Sequence, residues 1–199
     1  HVLWVEATWT DLTALPFTAV PVAEIRRPAF VDTIEDLSPE EQAEYVNDLA
    51  ARVEPADGLA PAVCHLDTGV ARTHVLLTES LSLQDLHTVI GTSGFDRTGH
   101  GTAMAGLALL GHLDRHLIGT QQVSLRHRLE SVRIVPTSAE PRTHPLAYGD
   151  VTAQAVSLPE TVAARRRVFC MPVTATGDTP ARPGQPTLWS ATVDALAVG

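Results

Sequence analysis

The stretch Asp96-Arg97-Thr98-Gly99-His100-Gly101-Thr102-Ala103-Met104-Ala105-Gly106 brings a histidine out of a polar loop and into a run of small residues. We predict that a helix begins at His100. Glycine costs a helix about 1 kcal/mol relative to alanine, so its use here indicates close approach to a sheet or another backbone. A histidine on such a rigid helix is well placed to act as a general base. Taken alone, the pattern is equally compatible with a loop histidine that has no chemical role.

A second stretch upstream favours a chemical role for His100. It reads Ala62-Val63-Cys64-His65-Leu66-Asp67-Thr68-Gly69-Val70. A short, mostly apolar run that ends in Asp-Thr-Gly is typical of a buried strand followed by a turn. In open α/β sheets, functional side chains gather at the carboxyl ends of the strands. We therefore predict that Asp67 lies where its carboxylate can hold an imidazole in one tautomer and stabilise the charged ring.

Together, Leu66-Asp67-Thr68-Gly69-Val70 and Gly99-His100-Gly101-Thr102-Ala103-Met104-Ala105-Gly106, in this order, resemble the motifs of the subtilisin-like serine peptidases. The resemblance implies an Asp/His/Ser triad in which His100 is the general base and Asp67 orients it. The chain order Asp, His, Ser is the one that subtilisin itself exemplifies. The implied activity is the hydrolysis of peptide bonds in a polypeptide substrate.

The resemblance also implies a substrate-binding segment after the strand at Val168-Phe169-Cys170. In the family, the corresponding segment pairs with the substrate backbone as an added β-strand. By order, Met171, Pro172, Val173 and Thr174 occupy that place. Many relatives carry Ser-Leu-Gly where this chain has Pro172-Val173-Thr174, so we expect substrate pairing to be altered.

The nucleophile motif of the family has no counterpart in this chain. No Gly-Thr-Ser-Met-Ala or Gly-x-Ser-x-Gly sequence follows residue 111, and the asparagine of the family's oxyanion hole is missing as well. Gly91-Thr92-Ser93-Gly94 imitates the motif but precedes a loop, so we interpret Ser93 as a loop residue. The resemblance covers residues 60–199, and we predict the N-terminal part of a catalytic domain that is inactive alone.

Two other functions remain open at this point. One is a non-catalytic peptide-binding module, or a pseudoenzyme of the same fold, which keeps the cleft but cuts nothing. The other is an aspartic peptidase, because Leu66-Asp67-Thr68-Gly69 also matches that signature. Such enzymes need two carboxylates in one site, so a single Asp-Thr-Gly would demand a homodimer and would leave the His100 motif unexplained.

The amino-acid composition limits which binding partners and which cellular compartment are expected. The chain has 199 residues, of which 44% are hydrophobic, and it contains no apolar run long enough to span a membrane. A net charge of −9 argues against nucleic acid. Cys64 and Cys170 lie in apolar runs and are expected to be buried thiols, which favours a reducing, cytoplasmic compartment. We expect no cofactor and no metal. No signal peptide is recognisable, although a trimmed secreted product would look the same.

Strands that alternate with helices predict an α/β fold with a parallel, doubly wound sheet, in a partial subtilisin-like three-layer αβα arrangement. We place a small α+β N-terminal segment at residues 1–58, in the position of a propeptide, and the catalytic part at 59–199. Such a sheet would leave an unpaired edge, to be covered by the missing C-terminal half or a second copy. The predicted elements are strands at His1–Trp9, Ala19–Ile25, Ala62–Asp67, Thr88–Ile90, Leu129–Pro136 and Val168–Thr174, and helices at Asp11–Leu15, Ser38–Val53, His100–Gly111, Val151–Arg165 and Thr187–Ala197, with Arg165-Arg166-Arg167 as an exposed helix cap.

Overall fold

The structure, a computed structural model, describes residues 8, 10–11, 34–162, 164–174 and 186–198. The chain divides into two compact units, His1–Thr33 and Ile34–Gly199. Three predicted elements lie outside the described residues, apart from Thr8 and Asp11: the strands His1–Trp9 and Ala19–Ile25 and the helix Asp11–Leu15.

The second unit is built on a parallel sheet, as predicted. Its four strands lie in the order β3-β5-β2-β6, and every neighbouring pair is parallel. Two further strands, β1 and β4, form a separate parallel pair. The strands are β1 (Val53–Glu54), β2 (Ala62–Asp67), β3 (Leu86–Thr88), β4 (Val123–Ser124), β5 (Arg128–Arg133) and β6 (Arg167–Cys170).

Helices flank the sheet on both faces, and each face has its own apolar core. One core joins α1 and α2 to the sheet through Leu49, Leu109 and Leu129. The other joins α4 to the sheet through Ala155 and Val132. The predicted α/β class and its layering are therefore confirmed. The helices are α1 (Pro39–Arg52), α2 (His100–Leu110), α3 (Leu113–Leu117), α4 (Tyr148–Glu160) and α5 (Leu188–Val198), with 3-10 turns at Ile34–Asp36, Leu83–Asp85 and Pro145–Ala147.

Helix α1 begins at the predicted capping box. The Ser38 hydroxyl accepts a hydrogen bond from the Glu41 backbone N–H at 3.3 Å, and the Glu41 carboxylate accepts one from the Ser38 N–H at 2.9 Å. Farther along the helix, Leu49 is fully buried in the core that also contains α2. Helix α1 therefore shares a core with the sheet, and the compact unit that contains both begins at Ile34. The division into a propeptide-like segment and a catalytic part at Gly58 stays a prediction.

The interpretation of Arg165-Arg166-Arg167 as an exposed helix cap is wrong, because all three residues lie beyond the end of the helix. Helix α4 ends at Glu160, and Arg167 is the first residue of β6. The Arg165 and Arg167 side chains are almost completely buried, and both are paired with the fully buried Glu130. Only Arg166 is exposed. A buried carboxylate on β5, which β2 separates from β6 in the sheet, therefore changes the role of this basic run.

Both cysteines are free thiols, with Cys64 buried and Cys170 partly buried. Burial, with the nearby Glu130 charge acting in the same direction, raises the pKa of the Cys64 thiol well above its ordinary range. Across the described ranges, none of the helices combines the length and the apolar character that a bilayer crossing requires.

Candidate active site

Asp67 and His100 meet at the carboxyl end of the sheet. Asp67 is the last residue of β2, and His100 is the first residue of α2. The Nδ1 atom of His100 lies 2.9 Å from Oδ1 and 3.0 Å from Oδ2 of Asp67. The Asp67 side chain is fully buried, whereas that of His100 is 52% exposed. The two residues are thus brought together as the spacing of their motifs predicts.

The contact determines which ring nitrogen carries the proton. An ionised carboxylate can only accept hydrogen bonds, so Nδ1 of His100 donates to Asp67. The Nε2 atom of the neutral ring is then unprotonated and can take a proton from a neighbouring group. The backbone N–H of Thr68 also donates to Oδ1 of Asp67, at 2.7 Å, and helps to fix the carboxylate. This arrangement leaves Nε2 as the basic atom of the His100 ring.

Glycine is required where α2 passes over the turn that follows Asp67. A Cβ atom at Gly101 would collide with the carbonyl oxygen of Gly69 and would lie 2.9 Å from Oγ1 of Thr68. The predicted close approach of the helix is therefore found, and its partner is the Asp-Thr-Gly turn. Gly106 differs, since a Cβ atom there would meet no described atom within 4 Å.

The segment of Met171, Pro172, Val173 and Thr174 follows β6 without regular secondary structure. The pairing of β6 with β2 ends where Cys170 lies opposite His65. The segment therefore leaves the sheet at the same end as Asp67. Its Met171 and Val173 side chains are partly buried against the core that contains α4.

Ser93, the serine of Gly91-Thr92-Ser93-Gly94, lies in the loop that precedes Asp96. Its hydroxyl oxygen accepts a hydrogen bond from the Phe95 N–H at 3.1 Å, and its carbonyl oxygen accepts one from Arg133 at 3.2 Å. Arg133 also binds Glu140. Hydrogen bonds from Thr137 and then from Arg133 lower the pKa of the Glu140 carboxyl to about 2. These contacts support the interpretation of Ser93 as a loop residue.

Sequence reasoning missed Asp96, a buried residue next to the candidate pair of Asp67 and His100. Its carboxylate accepts hydrogen bonds from the backbone N–H groups of Gly99 and Thr102, on either side of His100. The available signal was local, since an aspartate with threonine and glycine two and three residues later is a turn pattern. No group of three or more His, Cys, Asp or Glu side chains within the described part of the chain is arranged to hold a metal ion.

The sequence matches the family model of the subtilase family, peptidase S8, over residues 58–199. No curated protein and no solved structure matches the chain. The match is to a class of serine peptidases, and the α/β fold with its parallel sheet is consistent with that class. Because the match spans well over half of its length, the chain belongs to the subtilase family. The resemblance based on the Asp67 and His100 motifs is thereby confirmed.

His65 shares a strand face with Asp67, two residues before it, and leads to a testable prediction. Its side chain is fully buried, and neither ring nitrogen has a hydrogen-bond partner in the described part of the protein. Burial lowers the pKa of His65, while the Asp67 charge acts in the opposite direction. The unfolded chain therefore binds a proton more readily, so this residue costs stability progressively as the pH falls below about 6.5.

We expect His65→Leu to raise the free energy of unfolding by about 1 to 3 kcal/mol at pH 8, because two unsatisfied buried polar atoms are removed. The increase in the free energy of unfolding should be larger at pH 5. At that pH His65 of the parent chain binds a proton more readily when unfolded than when folded, which stabilises the unfolded state. Urea denaturation at both pH values measures it, with the exposed His112→Leu as the matched control. Equal losses of stability between pH 8 and pH 5 in His65→Leu and the parent chain would contradict the prediction.

Proposed function

We propose that this chain provides the acid–base part of a subtilisin-like serine endopeptidase, with the nucleophilic serine on polypeptide outside residues 1–199. His100 is the general base, and Asp67 orients it and stabilises its charged form. The observation that carries the proposal is the contact of 2.9 Å and 3.0 Å between Nδ1 of the half-exposed His100 and the buried Asp67 carboxylate. Family membership supports the same chemistry.

In the proposed reaction, the serine hydroxyl donates a hydrogen bond to Nε2 of His100. The serine oxygen attacks the carbonyl carbon of the scissile peptide bond, and its proton moves to Nε2. The resulting imidazolium is stabilised by Asp67 and then transfers that proton to the leaving amine, which breaks the C–N bond. Water repeats the sequence on the acyl-enzyme and releases the second product. The donors that stabilise the oxyanion come, like the serine, from outside this chain.

Substrate binding is proposed for Met171, Pro172, Val173 and Thr174. A segment that leaves the sheet beside Asp67 is placed to pair with an extended polypeptide as an added strand. Proline has no backbone N–H, so Pro172 can contribute only its carbonyl oxygen to that pairing. The hydrogen bonds to the substrate backbone are thus expected to come mainly from the backbone groups of Met171, Val173 and Thr174.

The proposed partner is the polypeptide that carries the serine, or else a second copy of this chain. Strand β6 is an edge of the described sheet, and its Val168 side chain is 68% exposed. Helix α5 packs on α4 through Trp189, whose indole N–H donates to Thr152 Oγ1 at 2.9 Å. Its Leu188 and Leu196 remain exposed. An unpaired edge beside an exposed apolar surface is typical of an interface.

The purified 199-residue chain provides the first test. We expect no hydrolysis of casein and no labelling by a serine-directed fluorophosphonate, because the activated serine and the oxyanion donors are proposed to lie outside this chain. Light scattering on the same sample should give a mass above the 21.3 kDa of one chain if a second copy covers β6 and α5.

Hydrolysis that disappears in His100→Ala would place the nucleophile within this chain, and Ser93→Ala would be the next variant to assay. The alternative of a non-catalytic peptide-binding module is tested by expressing the gene beyond the codon for Gly199. A product that binds casein, cleaves none and resists the fluorophosphonate would replace the endopeptidase proposal with the binding module.

A further inference from the structure

Asp96 is a buried carboxylate that accepts six hydrogen bonds from three parts of the candidate active site. Its Oδ1 atom accepts from the N–H and the hydroxyl of Thr98, both at 2.9 Å, from the Gly99 N–H at 3.0 Å and from the Thr68 hydroxyl at 3.0 Å. Its Oδ2 atom accepts from the N–H and the hydroxyl of Thr102, at 2.9 and 2.7 Å. Asp96 is 4% exposed, so these donors replace its hydration shell.

The donors include the immediate neighbours of both members of the candidate pair. Thr68 follows Asp67 directly, and Gly99 precedes His100 directly. Thr68 also accepts a hydrogen bond from the Gly101 N–H at 2.8 Å, so its hydroxyl joins the strand end to the first turn of α2. Asp96 therefore holds the backbone on both sides of the Asp67–His100 contact.

A second connection runs through Thr102. Its hydroxyl donates to Asp96 and accepts from the Ala71 N–H at 2.9 Å, and so ties α2 to the chain beyond the Asp-Thr-Gly turn. The network thus fixes the position of the helix relative to the turn in two places. Small shifts at such a site matter, because a catalytic pair must be held within about 0.5 Å of its working geometry.

The Asp96 carboxyl stays ionised across the pH range in which a peptidase works. Burial acts to raise the pKa of its carboxyl, but the hydrogen bonds from Thr102 and Thr98 outweigh burial and bring the pKa down to about 2. The carboxylate thus remains an acceptor for all six donors at neutral pH. An asparagine at this position would place an N–H₂ group against at least two of them.

We propose that Asp96 is a positioning residue for the Asp67–His100 pair, which holds the Thr68 turn and the start of α2 so that Nδ1 of His100 meets the Asp67 carboxylate. The inference rests on the proposed function for its meaning, but its geometric content does not depend on activity. Asp96 acts through Thr68, Gly99 and Thr102, because its hydrogen bonds go to these residues and to Thr98 and not to the ring.

The tautomer of His100 separates positioning from a general loss of stability. A ring that donates from Nδ1 to Asp67 populates the Nδ1–H tautomer, whereas a free neutral imidazole favours Nε2–H. Nitrogen-15 NMR of the 199-residue chain in alkaline buffer distinguishes the two forms without any substrate. Asp67→Asn provides the reference for a ring that has lost its carboxylate.

We expect Asp96→Asn to shift the His100 ring from mainly Nδ1–H toward the Nε2–H proportion found in Asp67→Asn. Asp85→Asn is the matched control, because Asp85 is equally buried and ion-paired with Arg165 but belongs to the turn before β3. It should destabilise the fold and leave the tautomer unchanged. If Asp96→Asn does not fold, Thr68→Val removes the Thr68 hydroxyl alone and should produce a smaller shift in the same direction.

An unchanged tautomer in folded Asp96→Asn, or in Thr68→Val where that variant is used, would overturn the positioning role. The same shift in Asp85→Asn would overturn it as well, since a loss of stability alone would then be the cause. A parent chain whose His100 is already mainly Nε2–H would contradict the Asp67–His100 pair itself. The failure of the proposed function is thereby distinguished from the failure of this inference.

Discussion

Replacing His100 with alanine in the protein that carries the serine is expected to lower kcat/KM for a peptide substrate by at least about 10⁴-fold. Without the ring, the serine hydroxyl has no base to accept its proton, and the leaving amine has no acid. Asp67→Asn should cost on the order of 10⁴-fold in kcat as well, because the amide favours the wrong tautomer of His100. Steady-state kinetics on a peptide substrate measures both effects.

The members of a triad act as a unit, so the double variant should be little worse than His100→Ala. His112→Ala is the matched control, since His112 lies beyond the other end of α2 and is exposed, with Nδ1 3.7 Å from Asp114. It should leave kcat/KM unchanged. A His100→Ala enzyme that keeps more than about a tenth of the parent activity would show that another group is the base.

Replacing Arg167 with methionine is expected to lower the free energy of unfolding by about 3 to 5 kcal/mol. The fully buried Glu130 carboxylate accepts hydrogen bonds from Nε of Arg167 at 2.7 Å and from its terminal nitrogen at 3.0 Å. Arg165 approaches the same carboxylate at 3.3 Å and also binds Asp85 at 3.1 Å. Methionine would fill the space but leave much of the Glu130 charge uncompensated. Chemical denaturation at neutral pH measures the change.

Arg166→Met is the control for the Arg167 experiment, because Arg166 is the exposed neighbour in the same basic run. It should change the free energy of unfolding by no more than about 0.5 kcal/mol. A similar small effect of Arg167→Met would mean that Glu130 is hydrated in solution. The buried ion-pair network would then contribute little to the fold.

The elements that were predicted well depend on contacts between residues close in the chain. The capping box at Ser38 and Glu41 is complete within four positions, so its sequence specifies it. Strand β2 lies within the predicted stretch Ala62–Val70 and ends at Asp67, because its apolar run stops abruptly at Asp-Thr-Gly. Strand β3 begins two residues before the predicted Thr88, and α4 continues through Pro159 but ends at Glu160. At these element ends, local propensity is a weak guide.

The sequence alone determined the family, the parallel α/β class and the identity of the Asp67–His100 pair. These follow from short motifs whose residue types and order are visible without a structure. Only the tertiary structure decided that Arg165 and Arg167 are buried, since Glu130, their shared partner, comes from a strand distant in the chain. It alone placed α1 in the core of the sheet through Leu49, and it alone joined Asp96 to Thr68 and Thr102. Burial and long-range hydrogen bonds depend on which elements pack together, and the pattern within any one segment does not contain that information.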